Sequence, residues 1–390
     1  MKIKNHYFIN LIALVLGALF LRIYIEKFLD DGNPVWLKIT GVMVIIIVGA
    51  FFVLKGTAEI IEETTGVLSS RTKIASGLLQ SIGTAFPDMV LGIVSAVISL
   101  GLVKENYALA ISFAIIAAST TFGSNIYNIA HAAWCVYRQN LSNKKGASVA
   151  MLPGVKSMGR VVPMKDHTRK PSLKEMDVSL DVLNALSLLT MFVAVSMVIF
   201  GRVNNPPSNI SGDVYQMIMP IGWLVLLLCV AVMYFFRNNK REDTLNEAEH
   251  KEELYFEKKS TLIIIFYLVV SGIAILFAAE SMVKAVQVFC SVTGTPFVIA
   301  GVLAGAIGCI GEMIVVHNFT VNPKGRIGDA LVGVAMDNIV TTMGAAVVAI
   351  IGGIFLGGNS LILIFVIILT LNSVLIGQIS KLKNYFLKQN

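Results

Sequence analysis

The strongest constraint in the sequence is a succession of apolar blocks, each about 18–25 residues long, with polar segments between them. A block of that length crosses about 30 Å of hydrocarbon as helix. The blocks fall at 7–25, 35–58, 74–101, 107–136, 180–200, 215–236, 260–286, 296–320, 327–351 and 359–379. Only 14% of the residues are charged, against about 25% in soluble domains. Mean hydropathy is +0.77, more apolar surface than one soluble core absorbs. The sequence therefore predicts an all-α, polytopic membrane protein of about ten transmembrane helices. No small-residue cleavage site follows the first block, which reads as a retained helix and not a signal peptide.

A net charge of +7 raises the possibility of a nucleic-acid partner, but the basic residues sit between blocks and form no basic face. Segment 138–178 is rich in lysine and arginine, segment 237–259 mixes both signs, and Lys381, Lys383 and Lys388 follow the last block. Ten spans with both termini in the cytoplasm place every lysine-rich loop inside, at the plasma membrane. The expected divisions are an N-terminal helix unit (1–34), a first membrane region (35–236), a cytoplasmic linker (237–259), a second membrane region (260–380) and a tail (381–390). Cys135, Cys229, Cys290 and Cys309 have no metal-ligand spacing, so no cofactor is expected.

Two pairs of blocks carry polar residues at membrane depth, where such groups face cavities or partners. The first pair holds Gly83-Thr84-Ala85-Phe86-Pro87-Asp88, then Gly123-Ser124-Asn125-Ile126-Tyr127-Asn128. The second holds Gly308-Cys309-Ile310-Gly311-Glu312, then Met336-Asp337-Asn338-Ile339-Val340-Thr341. Each half thus has an acid mid-span on one helix and a polar-Asn-Ile triplet on the next, the pattern of an internal repeat. Thr84 and Asp88, Ser124 and Asn128, and Asp337 and Thr341 are each four apart and share a helix face. Carboxylates, hydroxyls, amides and freed carbonyls are the hard oxygen ligands of calcium and sodium. Pro87 lacks an N–H and clashes with the preceding turn, which is expected to free backbone carbonyls just before Asp88, with Gly308 and Gly311 loosening the partner helix less forcefully.

Blander readings stand beside these. A lone hydroxyl such as Thr84, Ser124 or Thr341 more often bonds its own helix, and Asn125 and Asn338 suit hydrogen bonds between helices. The acids resist this reading, because an unpaired buried carboxylate is costly. Glu59, Glu62 and Glu63 are expected to be solvated at a helix end, as is Lys55. Glu280 stands four residues before Lys284, a helical ion-pair spacing. His131 and His317 stand near span ends, where histidines are more often packed than proton-carrying.

The quoted motifs resemble the sodium/calcium exchangers of the cation/calcium exchanger superfamily, whose first repeat carries G-T-S-x-P-E and then G-S-N-x-x-N. The resemblance runs from about residue 38 to 352, outside the long loops. It implies inverted repeats meeting at mid-membrane, and alternating access by sliding of a peripheral helix pair. It also implies Asp88 and Glu312 as central calcium ligands, with Thr84, Ser124, Asn128 and backbone near 84 and 308 completing the cation sites. This sequence departs by Asp88 for Glu, Ala85 for Ser, Gly308, Cys309 and Gly311 for Thr, Ser and Pro, and Asp337 for Ser. An added first helix is a further departure.

The leading expectation is a calcium antiporter driven by sodium, with inorganic cations and the bilayer as partners. The alternative is proton-driven exchange of calcium or another divalent ion, because carboxylates sharing a low-dielectric site hold protons readily. An intramembrane aspartyl protease using two of Asp88, Asp329 and Asp337, or a channel, fits the repeated acid and Asn motifs less well.

Overall fold

The computed structural model describes residues 6–72, 76–167, 170–204, 206, 213–237, 255–322, 327–352 and 355–388; the side chains of Glu62, Thr84 and Asp329 lie outside that description. Nine helical runs are long and apolar enough to cross a membrane, and a bent helix pair makes a tenth. The first span is α1 (His6–Phe20), prolonged by π-helical Leu21–Ile25 and 3-10 Glu26–Leu29. The second joins α2 (Val35–Ile47), a π-helical stretch Val48–Leu54 and α3 (Lys55–Thr72). Then come α4 (Ser76–Leu102), α5 (Tyr107–Lys145), α6 (Leu173–Phe200) and α7 (Met219–Arg237). The later spans are α8 (Thr261–Thr293), the bent pair α9 (Phe297–Gly308) and α10 (Ile310–Val321), α11 (Ile327–Ile351) and α12 (Gly358–Leu387).

Burial follows the logic of a bilayer. α5 and α11 are mostly enclosed, whereas α1 and α7 turn most of their residues outward. The outward residues are themselves apolar: Leu188, Ile199, Trp223, Leu227, Leu262 and Leu363 are all exposed. Such a belt is stable only against hydrocarbon. The interior divides into two main apolar clusters. One is built chiefly on α5, α6, α7, α11 and α12; the other joins α1, α2, the π-helical stretches and α8 to parts of α4 and α9.

Contacts between chain segments agree with alternating spans. Tyr7, at the start of α1, stacks on Tyr255 with ring centroids 4.6 Å apart. Arg71, near the end of α3, donates to the carbonyls of Glu257 (2.9 Å) and Lys259 (2.6 Å). Lys383 of α12 pairs with Asp177 of α6. At the opposite ends, strand β3 (Val214–Gln216), before α7, pairs antiparallel with β4 (Phe355–Gly357), before α12. Every loop so joined falls on the side that ten alternating spans assign to it.

Several boundaries differ from the sequence reading. α5 runs on to Lys145, because Arg138 is buried, donates to Ala150 O and lies 5.5 Å from the Trp134 ring. Strands β1 (Val149–Leu152) and β2 (Val155–Val161) then form a hairpin where a plain basic loop was expected. Its turn needs Gly154, whose φ of 82° suits glycine. α6 begins at Leu173, where Ser172 and Glu175 form a reciprocal capping box. Lys55 and Glu59 are exposed, as expected, but inside a continuous helical run and not at its end. Glu63 is half-buried and accepts from Phe256 N at 3.3 Å, so the linker's last residues dock on α3. Most of the linker lies outside the described residues. Glu280 pairs with Arg22, not Lys284, since the π-helical and 3-10 end of the first span lies alongside α8 and supplies a partner for each.

Candidate functional site

The polar residues converge where α4, α5, the α9–α10 break and α11 meet. α4 packs on α11 and α5 on both α9 and α10, so each acid-bearing helix lies against the Asn-bearing helix of the other half. Alternating spans send α4 and α9–α10 through the membrane in opposite directions, as inversion requires. Small residues permit the close approach. A Cβ on Gly305 would fall 2.5 Å from Thr120 O, and one on Gly301 would strike Ser119.

The helix break is at Cys309, with φ −91° and ψ 7°, and bends the pair by 53°. Here the expectation reverses. α4 continues through Pro87 as one helix, while the glycine-flanked residue breaks its span. A proline forfeits one hydrogen bond that neighbouring helices can hold in place. Glycines on both sides of Cys309 leave the backbone free to turn. Glu312 therefore stands in the first turn of α10, where the helix dipole favours negative charge.

Asp88, Glu312 and Asp337 are all buried. Asp88 lies against the backbone of Gly308, where a Cβ would collide with Oδ1. Asn128 Nδ2 donates to Glu312 Oε2. Cys309 lies within electrostatic reach of both Asp88 and Glu312, and Asp337 within reach of Asp88. Asp88 and Glu312, from opposite halves, thus flank one helix break.

Ser124 sits beside Asp88 but gives its proton to Thr121 O at 2.9 Å. Thr341 donates to Asp337 O at 2.9 Å and Asn338 to Val334 O at 2.7 Å, both within α11. Asn125 Nδ2 reaches Thr342 Oγ1 across to α11 at 3.5 Å. Thr84, named from the sequence, has its side chain outside the described residues. Among the described residues, the buried oxygens of Asp88 and the carbonyl oxygens of Asn125, Asn128 and Asn338 find no hydrogen-bond donor. A buried acceptor without a donor is costly in an apolar enclosure.

No three His, Cys, Asp or Glu side chains among the described residues form a metal-ion cluster. A cation at Asp88 and Glu312 would take its remaining ligands from neutral oxygens, as calcium and sodium do. Cys309, quoted within its motif, is where the helix breaks, whereas Thr342, which accepts from Asn125, was not singled out from the sequence. It stands one residue beyond the quoted motif, so position was the available signal.

This is the architecture of a polytopic helical membrane protein with an inverted two-half core, the fold seen in cation exchangers. A structure described as native YfkE superposes with a TM-score of 0.52 at 13% identity, covering 98% of this chain and 97% of that one. An H+/Ca2+ exchanger, CAX, gives 0.50 at 12% identity over 94% of this chain and 75% of that one. A sodium-calcium exchanger, NCX_Mj, gives 0.45 at 16% identity over 87% and 90%. No family model and no curated protein matches the sequence.

Proposed function

We propose that this protein is a cation antiporter that exchanges calcium for a monovalent cation by alternating access at the plasma membrane, with both termini cytoplasmic. The observation that carries the reading is the convergence of Asp88 and Glu312 on the Cys309 break, among buried oxygens that have no donor among the described residues. Buried carboxyls sharing an apolar enclosure need compensating positive charge. A divalent ion supplies it in one state, and sodium ions or protons in the other. Asp88 and Glu312 are the central ligands; Asp337, Ser124, Asn125, Asn128, Asn338, Thr84 and Thr341 complete the cation sites. The structures sharing the fold include exchangers named for calcium with sodium and for calcium with protons, in keeping with this reading.

Sodium is the counter-ion suited to the neutral oxygens of Ser124 and Asn128. A proton is the second reading, because carboxyls sharing a buried, low-dielectric site hold protons readily. Radiolabelled calcium uptake into proteoliposomes under imposed sodium, potassium or proton gradients separates them. Absence of calcium uptake under all three gradients would overturn the antiport reading.

A further inference from the structure

The β1–β2 hairpin is held at one level of the molecule by the last turns of α5. Trp134 Nε1 donates to Met151 O at 3.1 Å, Gln139 Nε2 to Val162 O at 2.9 Å and Ser142 Oγ to Val161 O at 3.1 Å, while Arg138 donates to Ala150 O. Trp134 and Tyr137 stand there together, ring centroids 5.7 Å apart, and Tyr137 is exposed. Aromatic residues with a polar edge settle at the level of lipid headgroups. The hairpin clamped beside them lies at that level too.

Strand β2 is not a regular partner for β1. Pairing steps from Leu152–Val155 to Ala150–Arg160, so Lys156, Ser157, Met158 and Gly159 stand opposite Met151 alone. A bulge re-aims the side chains it carries. Lys156, Ser157 and Met158 are exposed, as is Arg160 at the far end. Gly159, with φ 77°, closes the bulge, and a Cβ there would lie 3.3 Å from Val321 at the end of α10. Arg160 is braced by Ser148, Nε to Oγ at 3.1 Å and Nη2 to the carbonyl oxygen at 2.8 Å. Two cations thus flank an exposed methionine on a fixed piece of backbone. Lys144, Lys145, Lys165 and Lys170 are exposed in the flanking chain, and Asp166 is the one acid between Arg138 and Lys174.

We propose that this bulge is a binding site for an acidic phospholipid, with Lys156 and Arg160 on its phosphate and Met158 at the edge of its acyl chains. The partner follows from the three side chains taken together. Two cations match a phosphate, but a soluble anion has no use for the methionine. A headgroup joined to hydrocarbon uses both, and at this depth lipid is the neighbour that the protein always has. Each basic residue near an acidic lipid surface adds about fivefold in affinity. The competing account is that these cations are solvated and serve only to orient the chain in the membrane. The proposal goes beyond the antiport reading and does not depend on it.

The test reads quenching of Trp134 fluorescence in protein carrying Trp36→Phe and Trp223→Phe, reconstituted in bilayers that contain brominated phosphatidylglycerol or brominated phosphatidylcholine. The unaltered hairpin should prefer the acidic lipid at least tenfold. Lys156→Gln should lower that preference about fivefold, and Lys156→Gln with Arg160→Gln at least tenfold, whereas Lys156→Arg should keep it. Lys156 is exposed, so the single change is read even where the double variant fails to fold. Lys381→Gln, three residues past the Gln378 that Asn140 of α5 contacts, removes a charge at the same end of the bundle and should change the preference less than twofold. Equal quenching by the two lipids would overturn the proposal. So would an equal loss in Lys381→Gln, which would assign the preference to the whole surface. Relief of quenching by millimolar inorganic phosphate or hexaglutamate would overturn it in favour of a soluble anion or an acidic protein segment.

Discussion

Arg22 Nη2 lies 2.8 Å from Glu280 Oε2, and one helical turn further along both helices Glu26 meets Lys284, also at 2.8 Å. The signs are exchanged between the two rungs, so the ladder fits only when the first span and α8 run in the same direction. Ser281 adds a bond to Glu26 at 3.2 Å, and the Arg22 guanidinium sits 4.9 Å from the Phe277 ring centre. First and seventh spans of an alternating chain are parallel, as this register demands.

Arg22→Ala should lower thermal stability in detergent, because it leaves Glu280 without its ion partner; the loss of such a charged bond is roughly 1–3 kcal/mol. The exchanged pair Arg22→Glu with Glu280→Arg should recover most of it. Melting curves of the single and double variants read the coupling. Equal destabilisation by the exchanged pair would mean that the ladder adds nothing.

Topology offers a second check. A cysteine replacing Lys144 should resist an impermeant thiol reagent applied outside cells, whereas one replacing Asp213 should react. The reverse pattern would turn the molecule over in the membrane.

Asp88→Asn and Glu312→Gln should each reduce calcium exchange at least tenfold without loss of membrane expression. The double variant should be little worse, since residues acting as one unit are strongly non-additive. Glu105→Gln, in the exposed turn between α4 and α5, should transport as wild type does. Substantial uptake in both single variants would place the cation site elsewhere.

Glycine at 308 gives a steric test independent of charge. Gly308→Ala places a methyl group onto the Asp88 carboxyl, whereas Gly333→Ala on α11 meets nothing within 4 Å. Calcium exchange should fall sharply in the first and persist in the second. If Gly308→Ala transports normally, Asp88 does not need its place against the α9 backbone.

Much of this was legible in the chain. Spans are local: block length and lipid-facing apolarity can be read residue by residue, so the expected blocks correspond to the helical runs within a few residues at most ends. Asp88, Glu312 and Asp337 were visible because charge inside an apolar block is costly. The pairings were not visible. Nothing local tells that Arg22 will reach Glu280 or that β3 will find β4. Each depends on helices brought together from distant parts of the chain. Local rules also misplaced the break: Pro87 is the stronger breaker in isolation, but a helix held by neighbours on several sides tolerates one missing bond. The paired glycines around Cys309 have no such constraint to overcome.

The break at Cys309 also sets a scale of leverage. At 1.5 Å per residue, Glu312 is about 4.5 Å from the pivot and Val321 about 18 Å, so a swing of about 10° moves them by about 0.8 Å and about 3 Å. The carboxylate sits near the fulcrum and the membrane-surface end of α10 at the tip of the arm. A motion wide enough to open a path at the surface can therefore leave Glu312 nearly in register with Asn128 and Asp88.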